Sequence, residues 1–345
     1  MATPAPNGTS PWDTVVEVTG VWKVYRQTQR GENLGEVLRN LVRPRLREVE
    51  ALRGIDLKIG RGEVVAYAGP NGAGKSTTVK LLSSLLAPDR GTVRVLGMDP
   101  VRDRVRYVER IGVVFGQRTE LWWDQPVAAS FEWKRVVWNV PDERYKRMLG
   151  VVRELLGLDE FFRSLARELS LGQKMRAELG LALIHEPEIL FLDEPTIGLD
   201  VLAKRNVLNF VKELNRERQV TVMVTSHDMS DLEQLAGRIV MIHRGNIAFD
   251  GDFDRLRRQF ADRRRLLIET SAATAPTIVG AELITSDANR HEYVFDAGQY
   301  RIPDLLAQAS TQTEILDVET HRVPIDDVIA DIYEAWQAKR EVGPA

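Results

Sequence analysis

The sequence predicts an α/β protein whose core is a mostly parallel sheet with crossover helices, followed by a small α+β module. Three observations predict it. Apolar runs of strand length alternate with helically spaced segments from Thr14 to His243. One of those runs, Glu63–Ala68, ends in a glycine-rich turn and then a helix. Around Arg257–Arg265 the pattern changes, and residues 263–345 follow a different order.

Residues 1–13 are small, polar and proline-rich and read as a disordered tail. Residues 14–24 alternate as a strand would. A basic stretch with six arginines between Arg26 and Arg47 then interrupts the pattern, an insertion expected over 26–48. Within it Leu34, Val37, Leu38, Leu41 and Val42 share one apolar helical face, closed by Pro44. Val49–Ile59 resumes as a strand, Lys75–Leu86 has helical spacing, and Thr92–Leu96 and Ile111–Phe115 are strand-like. A helical subdomain is expected over about 118–185, with Pro141 placed to start a helix and Gly157 to end one. Strands return at Ile189–Leu192, Thr221–Thr225 and Ile239–His243, with helices between them. The main domain is thus expected over 14–260.

In 263–345 the strand candidates are Leu266–Thr270, Ala281–Thr285, His291–Phe295 and Ile315–Val318. With helices at Ile302–Ala309 and Pro324–Ala338, the order is β-(α)-β-β-α-β-α, an accessory α+β module resembling a ferredoxin-like fold.

Composition narrows the function. Lys and Arg number 47 against 50 Asp and Glu, and the net charge of −3 argues against nucleic acid as a partner. The absence of cysteine excludes a disulfide framework, a thiol nucleophile and a cysteine-bound metal, and suits a cytosolic protein. No run of ~18 apolar residues is present, so any membrane channel is expected in another polypeptide.

Gly69-Pro70-Asn71-Gly72-Ala73-Gly74-Lys75-Ser76 matches G-x-x-x-x-G-K-[ST] between a strand and a helix. Glycines let the backbone wrap a polyphosphate, so that N–H groups and the helix start face its charge. Lys75 is placed for the β- and γ-phosphates, and the Ser76 hydroxyl for Mg²⁺, with Thr77 beside it. This loop alone indicates an NTPase. Ile189–Leu192 ends in Asp193-Glu194: the aspartate suits the shell of Mg²⁺, and Glu194 suits a general base for the attacking water. The plainer alternative is a solvated strand end.

Leu169-Ser170-Leu171-Gly172-Gln173, ahead of a helix through Met175–Ile184, resembles LSGGQ, the signature of the ABC ATPase family. Leu171 replaces the first glycine. The resemblance implies that Ser170, Gly172 and Gln173 at the helix start face the γ-phosphate held by the opposite subunit. It implies that Gln117, after Ile111–Phe115, touches Mg²⁺ and passes nucleotide state to the helical subdomain. His227, in Thr225-Ser226-His227-Asp228, resembles the switch histidine on the γ-phosphate, and Asp200 in Gly198-Leu199-Asp200 resembles the loop along the dimer seam. Tyr25 resembles the aromatic that stacks on adenine, with Trp22 as a competitor and a core tyrosine as the alternative.

The chain is therefore similar to an ABC cassette of the P-loop NTPase class, with antiparallel strands and a helical subdomain added to the parallel sheet. The resemblance implies ATP hydrolysis with Mg²⁺, two copies stacked head to tail around two nucleotides, and a separate transmembrane permease. A homodimer is expected, because every catalytic position occurs in this one chain. GVVFGQRTELWWDQPV, LSLGQKMRAEL and FLDEPTIGLD resemble bacterial exporter ATPases related to drug and polysaccharide efflux. That implies export, from the cytoplasmic face of the cell membrane. Import, or a soluble ABC ATPase acting on ribosomes or DNA, are the alternatives. Trp122, Trp123, Phe131, Trp133 and Trp138 either receive the permease's coupling helix or form the subdomain's own core. The 30–46 helix either lies on anionic lipid or the permease, or packs on the cassette.

Overall fold

The computed structural model describes residues 14–28, 46–116, 118–260 and 263–338. The expected tail 1–13 and the helix expected within 30–46 lie outside the described residues. The chain divides into two compact units, Met1–Gly251 and Asp252–Ala345. The division falls ahead of the expected 260–263 boundary because Phe253–Phe260, part of it read as a charged connector, is a helix grouped with the second unit.

The first unit has two sheets. β1 (Thr14–Thr28) pairs antiparallel with β2 (Leu46–Gly60), β3 (Val64–Ala68) belongs to the other sheet, and β4 (Arg90–Val95) pairs antiparallel with β1 on its far edge. The β1–β2 register runs out to Thr28↔Leu46, and Arg26 meets Glu48 across it at 3.1 Å. The insertion expected over 26–48 is therefore narrower, since both of its ends are paired strand.

The larger sheet adds β5 (Ile111–Phe115), β6 (Ile189–Asp193), β7 (Thr221–Thr225), β8 (Arg238–His243) and β9 (Asn246–Gly251). Its order is β5-β6-β7-β3-β8-β9, parallel except for the β8–β9 pair. β6 and β7 are continuous apolar runs rather than alternating ones, as strands covered on both faces must be. The helices are α1 (Lys75–Leu82), α2 (Arg104–Val108), α3 (Val127–Val137), α4 (Asp142–Leu156), α5 (Leu171–Leu183), α6 (Val201–Arg218) and α7 (Met229–Leu235). α4 closes at Gly157 in the left-handed region (φ 57°), as a glycine C-cap allows. α1 stops at Leu82, short of the Leu86 read from spacing, where Ser84 turns to φ 62°.

The second unit contains α8 (Phe253–Phe260), β10 (Arg263–Thr270), β11 (Ala281–Asp287), β12 (Arg290–Asp296), α9 (Ile302–Ser310), β13 (Ile315–Arg322) and α10 (Ile325–Ala338). Its sheet is antiparallel in the order β11-β12-β10-β13, which places β12 between β10 and β11 as in a split βαβ motif. The first crossover helix of that motif is absent: residues 271–280 form no helix. Pro276, which lacks a donor, instead accepts the Tyr293 hydroxyl at 2.5 Å. Leu266, Ile268, Tyr293, Phe295 and Leu305 form the core of this unit.

Candidate active site

The site is assembled at the carboxyl ends of β3, β6 and β7, three neighbours in the sheet. β3 runs into the loop 69–74. A Cβ on Gly69 would stand 2.2 Å from the Ile242 carbonyl oxygen, and one on Gly74 2.7 Å from that of Ala51. Only glycine lets the loop close against these backbones. Asn71 and Gly72 are exposed at the tip, while Ala73 is buried and donates its N–H to Pro70 at 3.1 Å. Lys75 opens α1, and its buried ammonium donates to the Gly69 carbonyl at 2.6 Å and the Pro70 carbonyl at 3.4 Å. Burial pushes the Lys75 pKa down, and the carboxylates of Glu194 and Asp193 pull it back up.

Asp193 ends β6. Its Oδ1 accepts from the Thr225 hydroxyl at 2.8 Å and the Ser76 hydroxyl at 3.4 Å. Glu194 follows with φ 59°, a left-handed conformation that costs a non-glycine residue on the order of 1–3 kcal/mol. Thr225 holds it there: the Glu194 N–H donates to the Thr225 carbonyl at 3.2 Å and to its hydroxyl at 3.0 Å. The Glu194 carboxylate then lies 2.7 Å from Nε2 of His227, just beyond the end of β7. Glycines shaped for a phosphate chain, a lysine ammonium, and a hydroxyl beside a carboxylate fit MgATP. Mg²⁺ takes few protein ligands and completes its shell with phosphate oxygens and water.

The remaining expected residues fall around this cluster. Tyr25 is half-buried with its hydroxyl 3.5 Å from that of Thr77, whereas the Trp22 ring packs over Gly54. Ser170 and Gln173 form a capping box at the start of α5, at 3.2 and 2.9 Å, so the Gln173 side chain is engaged within its own helix. Leu171 is exposed and its side chain faces Gly198, where a Cβ would be 2.9 Å away. Gly172 packs toward Ala203, and Asp200 caps α6 by accepting from the Ala203 N–H at 2.8 Å. Among the described residues, no hydrogen bond or ion pair joins Ser170, Gly172 or Gln173 to the Lys75–Asp193–Glu194–His227 cluster. Gln117 lies outside the described residues, but Gly116 before it donates to the Asp193 carbonyl at 2.8 Å.

Sequence reading missed four side chains. The Thr225 hydroxyl joins both carboxylate positions, and its only signal was its place ahead of Ser226-His227. Lys204 pairs with Asp228, and with Asp231 at 3.0 Å, tying α6 to the turn that carries His227. Glu178, an acid on the apolar face of α5, is buried and accepts from the Thr119 hydroxyl and from the N–H groups of Glu120 and Leu121, the latter two at 2.8 and 3.3 Å. Burial pushes its pKa up. It thereby anchors the segment after Gln117 to the helix that Ser170 caps.

The fourth is His185, which donates Nε2–H to the Ile111 carbonyl at 2.8 Å and stacks on Trp138 at 5.2 Å between centroids. Burial lowers its pKa from 6.5 to about 4. The unfolded chain takes up this proton near pH 6.5 and the folded chain only near pH 4. The stability His185 contributes by staying neutral is complete above pH 6.5 and is lost as pH falls through 4. The loss totals about 3 kcal/mol at ~1.4 kcal/mol per unit. His185→Gln should flatten the decline in urea-unfolding stability between pH 7 and pH 5; an unchanged slope would assign the decline to other groups.

A family profile described as "ABC transporter" matches residues 52–197. The ABC transporter ATP-binding protein NatA of Bacillus subtilis (strain 168) is 32% identical over 208 residues, 60% of this chain and 84% of that protein. The daunorubicin resistance ATP-binding protein DrrA3 of Streptomyces coeruleorubidus is 36% identical over 208 residues, 60% of this chain and 65% of that protein. Among solved structures, the ATP-binding cassette MJ0796, a dimer in a post-hydrolysis state bound to ADP and Pi, superposes with a TM-score of 0.57 at 25% identity. That match covers 69% of this chain and 98% of that one. Site geometry, family profile and the extent of the likeness to NatA agree: the chain belongs to the ABC transporter ATP-binding family and is an ATPase that uses ATP with Mg²⁺.

Proposed function

We propose that this chain powers an exporter, two copies closing around two MgATP to drive a separate transmembrane permease from the cytoplasmic face. The loop N–H groups and Lys75 bind the β- and γ-phosphates, and Tyr25 stacks on the adenine. Ser76 and Asp193, with Gln117, hold Mg²⁺, which when bound offsets charge on the phosphates. Glu194 accepts the proton of the attacking water at its carboxylate. His227, bonded to that carboxylate, orients it and bears on the γ-phosphate. Ser170, Gly172 and Gln173 on one copy, with Asp200 alongside, face the nucleotide held by the other, where the start of α5 adds a positive helix end.

Exposed apolar side chains support the dimer: Leu171, Ile197, Val201 (85% exposed) and Leu202 surround the α5 and α6 starts. The observation that carries the permease reading is the division of the aromatic set. Phe131 is fully buried and Trp138 stacks inward on His185, but Trp122, Trp123 and Trp133 are exposed, Trp123 by 56%. Three surface tryptophans on one subdomain suit an apolar partner. Among the described residues no helix is long and apolar enough to cross a membrane; in this reading the span belongs to the permease. Export rests on the likeness to a drug-resistance ATPase.

The test is mass spectrometry of what co-purifies with the tagged chain from native membranes in mild detergent. A stoichiometric multi-spanning protein, lost on Trp123→Ala/Trp133→Ala, is expected. Recovery with ribosomes or DNA-processing proteins instead would overturn the transporter reading. With the permease in hand, ATP-driven accumulation in inside-out vesicles supports export, and accumulation in right-side-out vesicles refutes it.

A further inference from the structure

The contact between Glu194 and His227 carries the proposed chemistry, yet little packing holds the imidazole, whose side chain is 49% exposed. Its place therefore depends on the backbone that delivers it. That backbone is the turn 226–228 between β7 and α7, and polar contacts fix it. The Ser226 hydroxyl accepts from the Asp228 N–H at 3.0 Å. The Asp228 carboxylate caps α7 by accepting from the Asp231 N–H at 3.1 Å.

Lys204 joins these contacts from another element. It lies in the first turn of α6, its N–H donating to the Asp200 carbonyl at 2.9 Å. Its ammonium pairs with Asp228 and stands 3.0 Å from Asp231. Asp231 is buried and also accepts from the hydroxyl of Thr196, itself buried in the loop that leaves Glu194. One cluster thus grips both sides of the contact: Asp228 follows His227 directly, and Thr196 is bound to the same carboxylate as Lys204. Burial raises the Asp231 pKa, the Asp228 charge adds to the rise and the Lys204 ammonium opposes it. Two carboxylates this close, one of them buried, repel unless a cation lies between them. Without Lys204 the buried acid takes up a proton or turns outward, and the turn loses its tie to α6.

We infer that Lys204 is a positioning residue for hydrolysis: bridging Asp228 and Asp231, it sets the turn 226–228 so that His227 meets the Glu194 carboxylate. The inference rests on the reading of Glu194 as the base and His227 as the group that orients it. Its effect falls on chemistry and not on binding, because the phosphate loop 69–74 is built between β3 and α1.

The test compares the full-length parent, Lys204→Met, His227→Ala and the double variant. Phosphate release at saturating MgATP gives kcat, and a fluorescent ATP analogue gives Kd. Lys204→Met should lower kcat by about tenfold or more, as a misplaced catalytic group does, with Kd within about twofold of the parent. Lys204→Arg, whose fork still reaches both carboxylates, should recover most of the rate. In the His227→Ala background Lys204→Met should cost nothing further, since its effect runs through the imidazole. Losses that multiply overturn the inference, as does parental turnover in Lys204→Met while His227→Ala is slow. Parental turnover in His227→Ala instead removes the reading of His227 on which the inference stands. Lys204→Met/Asp231→Asn separates positioning from folding, because it removes the stranded charge along with the ammonium. It should melt close to the parent and stay slow. Turnover restored together with Tm would make Lys204 a part of the fold only, and would overturn its role in positioning.

Discussion

Glu194→Gln should bind MgATP like the parent and lose turnover by about 10²–10⁴, the range of a general base. The substitution is nearly isosteric, and Thr225 fixes the backbone from outside the side chain, so the left-handed turn at 194 survives. Glutamine still accepts a hydrogen bond, including one from His227, but takes no proton from water. Binding is thereby separated from chemistry. Steady-state phosphate release alongside equilibrium nucleotide binding measures both, and a dimer trapped by unhydrolysed ATP should appear on gel filtration. Parental turnover would move the base to another residue, with His227, at 2.7 Å, next in line.

Lys75→Ala should act on the other half of the cycle, raising the Kd for MgATP by on the order of 10²-fold or more. Removing one partner of a buried charge contact costs ~2–5 kcal/mol, and the ammonium is the cation held inside the loop. Folding should be spared, because burial already penalises this charge and its present acceptors are two carbonyls of the loop itself. Titration with a fluorescent ATP analogue, paired with a melting curve, reads affinity and folding apart. Unchanged affinity at an unchanged Tm would dismiss Lys75 as a phosphate ligand.

Some of the site depends only on neighbours in the chain, and that part was legible. The 69–76 loop is local: glycines at fixed offsets, a lysine and a serine, between a strand and a helix. The caps, Ser170 with Gln173 and Asp200 with the Ala203 N–H, also span a single turn each, yet sequence reading missed them as caps. Within one chain the Gln173 and Asp200 side chains satisfy helix ends, while the place beside the opposite copy's nucleotide that the resemblance implies concerns a second chain. The helix bracketed after β10 in the ferredoxin-like order is not formed by the chain through Pro276.

Local patterns in the sequence sufficed for the class of the protein, the order of its strands along the chain, and the loop and carboxylates that mark an ATPase. Period-2 and period-3.6 patterns and glycine stereochemistry act over a few residues and survive in any context. Tertiary structure alone decided that Thr225 would bridge Asp193 and the Glu194 N–H, and that Glu178 would anchor residues 119–121. It also divided the aromatics, burying Phe131 and exposing Trp122, Trp123 and Trp133. Those outcomes depend on which strands lie side by side and how each helix is rotated against the sheet. Long-range packing sets both, and local periodicity carries no record of it.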